Sequence, residues 1–146
     1  MLRAIALSHM VTLYITMHVG YLSSLCGVAI KAGIGAACGI TYAMGGGASE
    51  VQGAVKIMAA TLSGVLCDGA KPGCALKVSS SSDMALRAAS LALRNIDVSE
   101  ENGIVGDTAE ATIRNLARLN QSMNAVEDKI VQILQEKISR PAPSAS

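Results

Sequence analysis

The stretch "CGVAIKAGIGAACGITYAMGGG", residues 26–47, sets the strongest constraint on the fold. It is apolar along most of its length and ends in three glycines, and four more glycines lie inside it: Gly27, Gly33, Gly35 and Gly39. Each glycine lowers helix propensity by roughly 1 kcal/mol relative to alanine. A helix over 26–44 is therefore expected only if neighbouring helices pack very closely, or if a ligand approaches the backbone. The glycine run at 45–47 is expected to end it.

The composition of the whole chain favours an all-α fold. The 146 residues are enough for one domain with a real core. Apolar residues make up 51% of the chain, yet there is no Phe or Trp and only three Tyr, so the core must consist of Ala, Leu, Ile, Val and Met. Small side chains let helices approach closely. We predict a compact helical domain of about five to six helices with a cysteine-bearing loop.

Apolar periodicity and capping signals give the expected boundaries of the helices. Three capping boxes are predicted: Ser49 with Gln52, Asp107 with Glu110, and Asn124 with Glu127. Pro72-Gly73 is expected in the middle of a type II turn. The domain is expected to cover 1–139, and "RPAPSAS" at 140–146 is expected to be a disordered tail. The predicted helices span residues 2–25, 26–44, 49–66, 82–96, 107–119 and 124–138.

Charge and polarity argue against nucleic acid and membrane partners. A net charge of +1 and the lack of Phe and Trp leave neither a basic patch nor a stacking platform. Residues 4–30 carry no charged side chain and exceed the ~20 residues that span a bilayer. This stretch nevertheless holds several Ser, Thr and His residues and lacks flanking basic clusters. A buried helix or a partner surface is therefore predicted. With no signal-peptide cleavage pattern, a cytoplasmic location is expected.

The four cysteines leave several kinds of chemistry open. A disulfide is disfavoured because thiols stay reduced in the cytosol. Zinc is disfavoured because none of the cysteines forms the close pair that zinc sites use. Packing suits Cys38, inside "GAACGI" on a helix face. The other three lie where helices are expected to begin or end: Cys26, Cys67 and Cys74.

A cofactor is the alternative to packing for these three cysteines. Three thiolates can hold three irons of a [4Fe–4S] cluster and leave the fourth iron open to substrate as a Lewis acid. The separations of 41 and 7 positions are compatible with such a cluster but do not identify it. From the residues alone, packing and cluster binding both remain open.

Three segments, in order, resemble the serine dehydratase alpha-chain-like family. They are "LSSLCGVAIKAGIGAACGITYAMGG", "GVLCDGAKPGCALKVSSSSDMALRAA" and "NGIVGDTAEATIRNL". The closest branch is that of the L-cysteine desulfidases and their uncharacterised bacterial relatives. The resemblance runs from Leu2 to Ile138. Since family members are longer, the chain is similar to their C-terminal part, and an N-terminal domain or subunit is expected as its partner.

The resemblance implies an iron–sulfur-dependent lyase that converts L-cysteine to pyruvate, ammonia and sulfide by β-elimination. Cys26 of "LCG", Cys67 of "CDGAK" and Cys74 of "GCALK" match the family's cluster ligands, although related serine dehydratases have a longer spacing before the last cysteine. L-serine is the alternative substrate. The chain alone is expected to be inactive or nearly so. Two other interpretations remain: an inactive truncated remnant, and a membrane-associated helical subunit.

The catalytic base is not identified by the sequence. Lys71 is a candidate for binding the substrate carboxylate or tuning the cluster, against the alternative of a solvated loop lysine. His9 is a candidate base, against the alternative of a satisfied core histidine. Lys31 and Lys56 are expected either to line the cleft or to extend towards water. Exposed apolar surface would also favour a homo-oligomer.

Overall fold

The computed structural model describes residues 1–139, and this part of the chain is all-α, as predicted. A π-helical turn, Val28–Gly33, leads directly into the second α-helix. The predicted tail at 140–146 lies outside the described residues. Within residues 1–139 there are six α-helices: α1 (Leu2–Val19), α2 (Ile34–Ala43), α3 (Ala48–Leu62), α4 (Gly73–Ala92), α5 (Ala109–Gln121) and α6 (Asn124–Ile138).

The glycine-bearing helix α2 lies at the centre of the molecule and contacts α1, α3 and α4. A Cβ atom at Gly35 would overlap the Thr12 hydroxyl and the Ser8 carbonyl of α1. A Cβ atom at Gly33 would overlap the Ser81 hydroxyl of α4. Close packing of helices on two sides therefore compensates for the low helix propensity of these glycines. The glycines at 45–47 lie after the helix, as predicted.

The core consists of aliphatic side chains and methionine, with many alanines between them. Alanines line the contact between α3 and α4, which lets the two helices approach closely. Each fully buried Leu, Ile or Met contributes about 1.5–3 kcal/mol. The largest of these side chains with no more than a trace of exposure are Ile15, Leu25, Ile30, Ile34, Met58 and Leu116.

Two helix boundaries differ from the prediction because the backbone changes direction at residues that an apolar pattern does not show. Helix α1 ends at Val19 rather than Leu25, since Gly20 adopts a φ of 97° that glycine tolerates best. Helix α3 ends at Leu62 rather than Leu66. The segments that follow α1 and α3 pair with each other, as described below.

Helix α4 begins nine residues earlier than predicted. Pro72 precedes the first residue of the helix and has a helical ψ of −33°, whereas a type II turn needs a ψ of about +120° at this position, so the predicted type II turn is wrong. Proline fits this position because the first turn of a helix has unpaired N–H groups in any case. The serines 79–82, where the helix was predicted to begin, lie inside α4. One of them, Ser81, is buried and donates its hydroxyl to Val28 O at 3.2 Å.

The predicted capping boxes are also only partly present. Glu50 accepts the backbone N–H of Gly47 at 2.7 Å, so α3 is capped from a position two residues before Ser49. Thr108, rather than Asp107, accepts the N–H of Ala111 and caps α5. Helix α6 begins at the predicted Asn124 but without a side-chain cap.

Helix α1 presents an apolar outer face. By length and composition it would be able to cross a membrane, a test that core helices and signal sequences also pass. Its other face contacts α2 and α5. Large apolar side chains exposed on α1 are Leu2, Ile5, Met10, Leu13, Tyr14 and Met17.

Candidate functional site

A backbone bridge joins the segments that carry Cys26 and Cys67. Leu25 and Leu66 form an isolated antiparallel β-bridge. Each cysteine follows a bridging leucine and donates its backbone N–H across the bridge at 2.7 Å: Cys26 to Val65 O, and Cys67 to Ser24 O. Diagonal neighbours in an antiparallel pair lie on one face, about 7–8 Å apart. The backbones of two cysteines that are distant in sequence therefore lie side by side.

Asn120 of α5 fixes the first strand of this bridge. Its side-chain oxygen accepts the N–H of Leu25 at 3.2 Å, and its amide group donates to Val19 O at 3.3 Å. It thus satisfies backbone groups at the end of α1 and in the bridge. The helical scaffold positions the bridge through these contacts.

Lys31, in the π-helical turn, binds the backbone of the segment that joins α1 to the bridge. Its Nζ donates to Gly20 O at 2.6 Å and Tyr21 O at 3.1 Å, and only 7% of the residue is exposed. Burial lowers the pKa of Lys31, while the charge of the nearby Cys67 raises it. The sequence predicted that Lys31 would line a cleft or extend to water, and the structure shows neither. Its buried ammonium group instead holds the backbone that follows α1, near Cys67.

Lys77 of α4 fixes the second strand of the bridge. Its Nζ donates to Leu66 O at 2.8 Å and to Asp68 Oδ1 at 2.7 Å. The hydrogen bond to Asp68 raises the pKa of Lys77, and the charges of Cys26 and Cys74 raise it further. The same hydrogen bond lowers the pKa of Asp68. An ammonium group therefore lies close to two of the three candidate thiols and next to the segment of the third.

Cys74 lies in the first turn of α4, beside the loop that begins at Cys67. Its Sγ donates to Gly69 O at 3.4 Å. Lys71, in the same loop, is exposed and donates to Asp68 O at 3.1 Å. The loop is thus folded back onto itself by side-chain contacts to backbone carbonyls.

The three candidate cysteines differ in exposure. Cys26 is buried, Cys67 is exposed and Cys74 is half-buried, and all are free thiols. In the part of the chain that the structure describes, no group of three or more His, Cys, Asp or Glu side chains is close enough to hold a single metal ion. An iron–sulfur cluster distributes its thiolates over several irons, which needs wider spacing. The donor set of free thiols fits such a cluster.

A cavity of about 230 Å³ lies between this loop and α6. Helix α6 has no buried residue, so its apolar side faces this space and solvent. The residues that line the cavity are Asp68, Lys71, Ile130, Ile133, Leu134 and Lys137. It therefore combines two ammonium groups and one carboxylate with an apolar wall.

A larger cavity, about 620 Å³, lies elsewhere, between α1, α3 and α5. Its lining is almost wholly apolar, with Gln52 and Glu110 as its main polar side chains. We place the candidate site at the cysteine loop, because this groove holds none of the thiols.

Two residues that the sequence analysis considered, His9 and Cys38, lie away from the cysteine loop. His9 is exposed on α1 and lines none of the cavities described above. The structure therefore does not bring it together with the cysteines. Cys38 lies in the hydrophobic core of α2, where burial raises the pKa of its thiol to about 12.

Sequence reasoning missed two residues of this region. Lys77 follows Cys74 by three positions, a spacing that places both on one face of a helix, so the motif "CALK" contained the signal. Asn120 is 95 positions from Leu25 and gave no signal.

Comparisons with known proteins agree on the family. The sequence model of the serine dehydratase alpha chain family matches residues 1–132. A UPF0597 protein of Geobacter sulfurreducens is 49% identical over 140 residues, which are 94% of this chain and 33% of the relative. Those of Caldanaerobacter subterraneus subsp. tengcongensis and Desulfotalea psychrophila are 45% and 44% identical over 137 residues, 93% of this chain and 32% and 31% of each relative. The chain thus spans about a third of the length of these relatives. No solved structure matches it.

Proposed function

This chain belongs to the serine dehydratase alpha chain family, and on that premise we propose that it carries the iron–sulfur site of a β-eliminating lyase. The proposed reaction is L-cysteine plus water to pyruvate, ammonia and hydrogen sulfide. The proposed cofactor is a [4Fe–4S] cluster, with Cys26, Cys67 and Cys74 as its ligands. When bound, such a cluster supplies a Lewis acid at the iron that lacks a thiolate ligand.

The Leu25–Leu66 bridge is the observation that supports this proposal most directly. It pairs the backbone segments that carry Cys26 and Cys67, which are 41 positions apart in the sequence. Cys74 is held beside the same loop by its contact with Gly69 O. Packing explains buried Cys26 taken alone, but it does not explain an exposed Cys67 in the same structure.

The loop's own charges suit an amino acid substrate. Lys71 and Lys137 line the 230 Å³ cavity and offer positive charge to a carboxylate. Asp68 offers negative charge to an ammonium group, although it already accepts a hydrogen bond from Lys77. We assign Lys71 to carboxylate binding and leave the base that removes the α-proton unassigned.

L-serine is the second candidate substrate, because the family itself is named after serine dehydratase. The two substrates share the carboxylate and ammonium groups and differ only in the leaving group. Parallel assays of sulfide release from L-cysteine and pyruvate release from L-serine distinguish them.

We further propose that full activity needs the polypeptide that makes up the other two thirds of the relatives' length, as an N-terminal domain or subunit. The exposed apolar face of α1 and the 620 Å³ groove offer it a contact surface. Purified chain is then expected to release little sulfide from L-cysteine. Turnover comparable to that of a complete relative would contradict this requirement.

The same surface favours association of the chain with itself. Sedimentation velocity is expected to show species larger than a 14.9 kDa monomer, and a pure monomer at micromolar concentration would contradict it.

We also propose a cytoplasmic location without membrane or nucleic-acid partners. Recovery only with detergent would support the membrane-associated alternative instead.

Anaerobic reconstitution with iron and sulfide tests the central proposal. Wild-type chain is expected to become brown and to bind about four irons. Cys67→Ala is expected to lose the iron, whereas the matched variant Cys38→Ala, which removes a core thiol, is expected to keep it. A chain that stays colourless and iron-free would favour the inactive remnant, and the opposite pattern in the variants would refute the ligand assignment.

A further inference from the structure

We propose that Lys77 is a positioning residue of the cluster site, which holds the segment around Cys67 in place and presents a positive charge to the thiols. This inference rests on the proposed function. Its structural part, the contact between Lys77 and the bridge, is independent of iron and is tested separately.

The side chain of Lys77 reaches the bridge from the first turns of α4. It donates to Leu66 O, the carbonyl directly before Cys67, at 2.8 Å, and to Asp68 Oδ1, directly after it, at 2.7 Å. These two contacts flank Cys67 on both sides along the chain. A lysine ammonium has three N–H donors, so one donor remains for a thiolate or a cluster sulfide.

The location of Lys77 also brings its charge near the other two thiols. Cys74 lies three residues earlier on the same face of α4, and the charges of both Cys26 and Cys74 raise the pKa of Lys77. Hydrogen bonds and net charge around a cluster set its reduction potential. A positive charge at this position favours the reduced cluster, which carries one more electron.

The other lysines near the loop lack this combination of contacts. Lys71 is exposed and makes one hydrogen bond, to Asp68 O at 3.1 Å. Lys31 holds the carbonyls of Gly20 and Tyr21 on the opposite strand. Of these three lysines, Lys77 is the one that forms hydrogen bonds with both sequence neighbours of a candidate ligand.

Lys56 provides the matched control. It also pairs with an aspartate, Asp97, at 3.8 Å, but this pair lies beyond the C-terminal end of α4. Lys56→Met and Lys77→Met therefore each remove one ammonium group from an ion pair with an aspartate. Lys77→Arg keeps the charge and the donors, so it serves as the conservative variant.

The first measurement uses the iron-free chain. Amide hydrogen exchange of the Cys67 N–H, which donates to Ser24 O, is expected to be several-fold faster in Lys77→Met than in wild type. Lys77→Arg and Lys56→Met are expected to match wild type. Unchanged exchange in Lys77→Met would overturn the positioning role. If Lys77→Met loses its helical circular dichroism, Lys77→Gln takes its place.

The second measurement uses the chain reconstituted with iron and sulfide. Lys77→Met is expected to lose iron to a chelator several-fold faster than wild type, and its cluster is expected to have a more negative reduction potential by redox titration followed by electron paramagnetic resonance. Lys77→Arg is expected to retain most of both properties.

The possible failures of this inference are distinguishable. Lys77→Met that matches Lys56→Met in iron loss and potential would overturn the role of Lys77 while the proposed function stands. Wild-type chain that takes up no iron would overturn the proposed function, and the cluster role of Lys77 with it.

Discussion

The central helix α2 and the cysteine loop at 63–72 are stabilised in different ways. In α2 and the π-helical turn before it, Gly35 and Gly33 lie so close to neighbouring helices that even a methyl group would overlap them. The loop is held mainly by polar contacts to its backbone, and glycines such as Gly69 have open space around them. One region is specified by shape and the other by a few hydrogen bonds.

The cysteines of the two regions show what this difference means for chemistry. Cys38 in α2 has no exposed surface, and its thiol serves as a small apolar group. Cys67 in the loop is exposed. Lys31 binds the backbone that leads into one half of its bridge, and Lys77 binds the other half. The rigid region therefore supports the fold, and the region with space and charge is the one suited to a cofactor.

Thiol alkylation should give the largest contrast between the two regions. In iron-free, reduced chain at pH 8, a pKa of about 12 leaves only about one Cys38 in ten thousand as thiolate, because each pKa unit is a factor of ten. Cys67 is expected to react with iodoacetamide by orders of magnitude faster. Peptide mass spectrometry gives both rates. Similar rates would mean that α2 opens as readily as the loop.

Glycine-to-alanine substitutions should change the free energy of unfolding much more in α2 than at the start of α4. Gly35→Ala is expected to destabilise the chain by about 1–3 kcal/mol, because the new methyl group overlaps α1. Gly73→Ala, at the start of α4 with nothing within 4 Å, is the control and is expected to be neutral or to stabilise by up to about 1 kcal/mol. Urea unfolding measures both. Equal effects would contradict the close packing of α2.

The pH dependence of stability should reveal the buried thiol of Cys38. Burial raises its pKa from 9.0 to about 12, so above pH 9 the unfolded chain loses this proton while the folded chain keeps it. The stability that this difference provides is complete below pH 9 and decreases by about 1.4 kcal/mol per pH unit above it. Wild type should therefore lose stability relative to Cys38→Ala between pH 9 and 12. Parallel curves in urea unfolding would show that Cys38 is not buried.

The smallest expected effect is that of the exposed ion pair in the loop. The hydrogen bond from Lys77 lowers the pKa of Asp68 below 3.8, so the pair stabilises the folded chain above that pH and less as the pH falls through the lowered value. Asp68→Asn should lower the melting temperature slightly at pH 7 in low salt. The difference should decrease in high salt and at pH 3. A large difference that is independent of salt would mean that the loop is held as rigidly as α2.

The sequence predicted the class of the fold because the periodicity and composition are local properties. It placed the central helix well, since the glycine run at 45–47 is an unambiguous end. It misplaced the end of α1, because the apolar pattern continues past Gly20 although the backbone turns there. It also began the fourth helix at residue 82, whereas Ser81 lies within α4 and is buried against the π-helical turn by long-range packing.

The candidate site was predictable only as a set of residue types. The three thiols were identified from their positions near helix ends and from the family resemblance. Their spatial relation depends on the bridge between Leu25 and Leu66, which two segments create only when the helices between them have folded. Neither strand has a β-pattern of its own. Asn120 acts through contacts to a backbone amide and a backbone carbonyl that no spacing rule encodes. The spacing from Cys74 places Lys77 on the same helix face, but it does not encode the contact of Lys77 with Leu66 O.

The Leu25–Leu66 bridge also limits when, during synthesis of the protein, the proposed cluster could be inserted. Its two halves enclose the π-helical turn, α2 and all of α3, so a nascent chain that is still emerging from the ribosome cannot form it until about seventy residues have been made. Lys77 and Asn120 come later still, so insertion must await almost the entire translated domain. For the proposed cluster this order would act as a check, since a chain that ends before Leu66 has no bridge to pair the segments of Cys26 and Cys67.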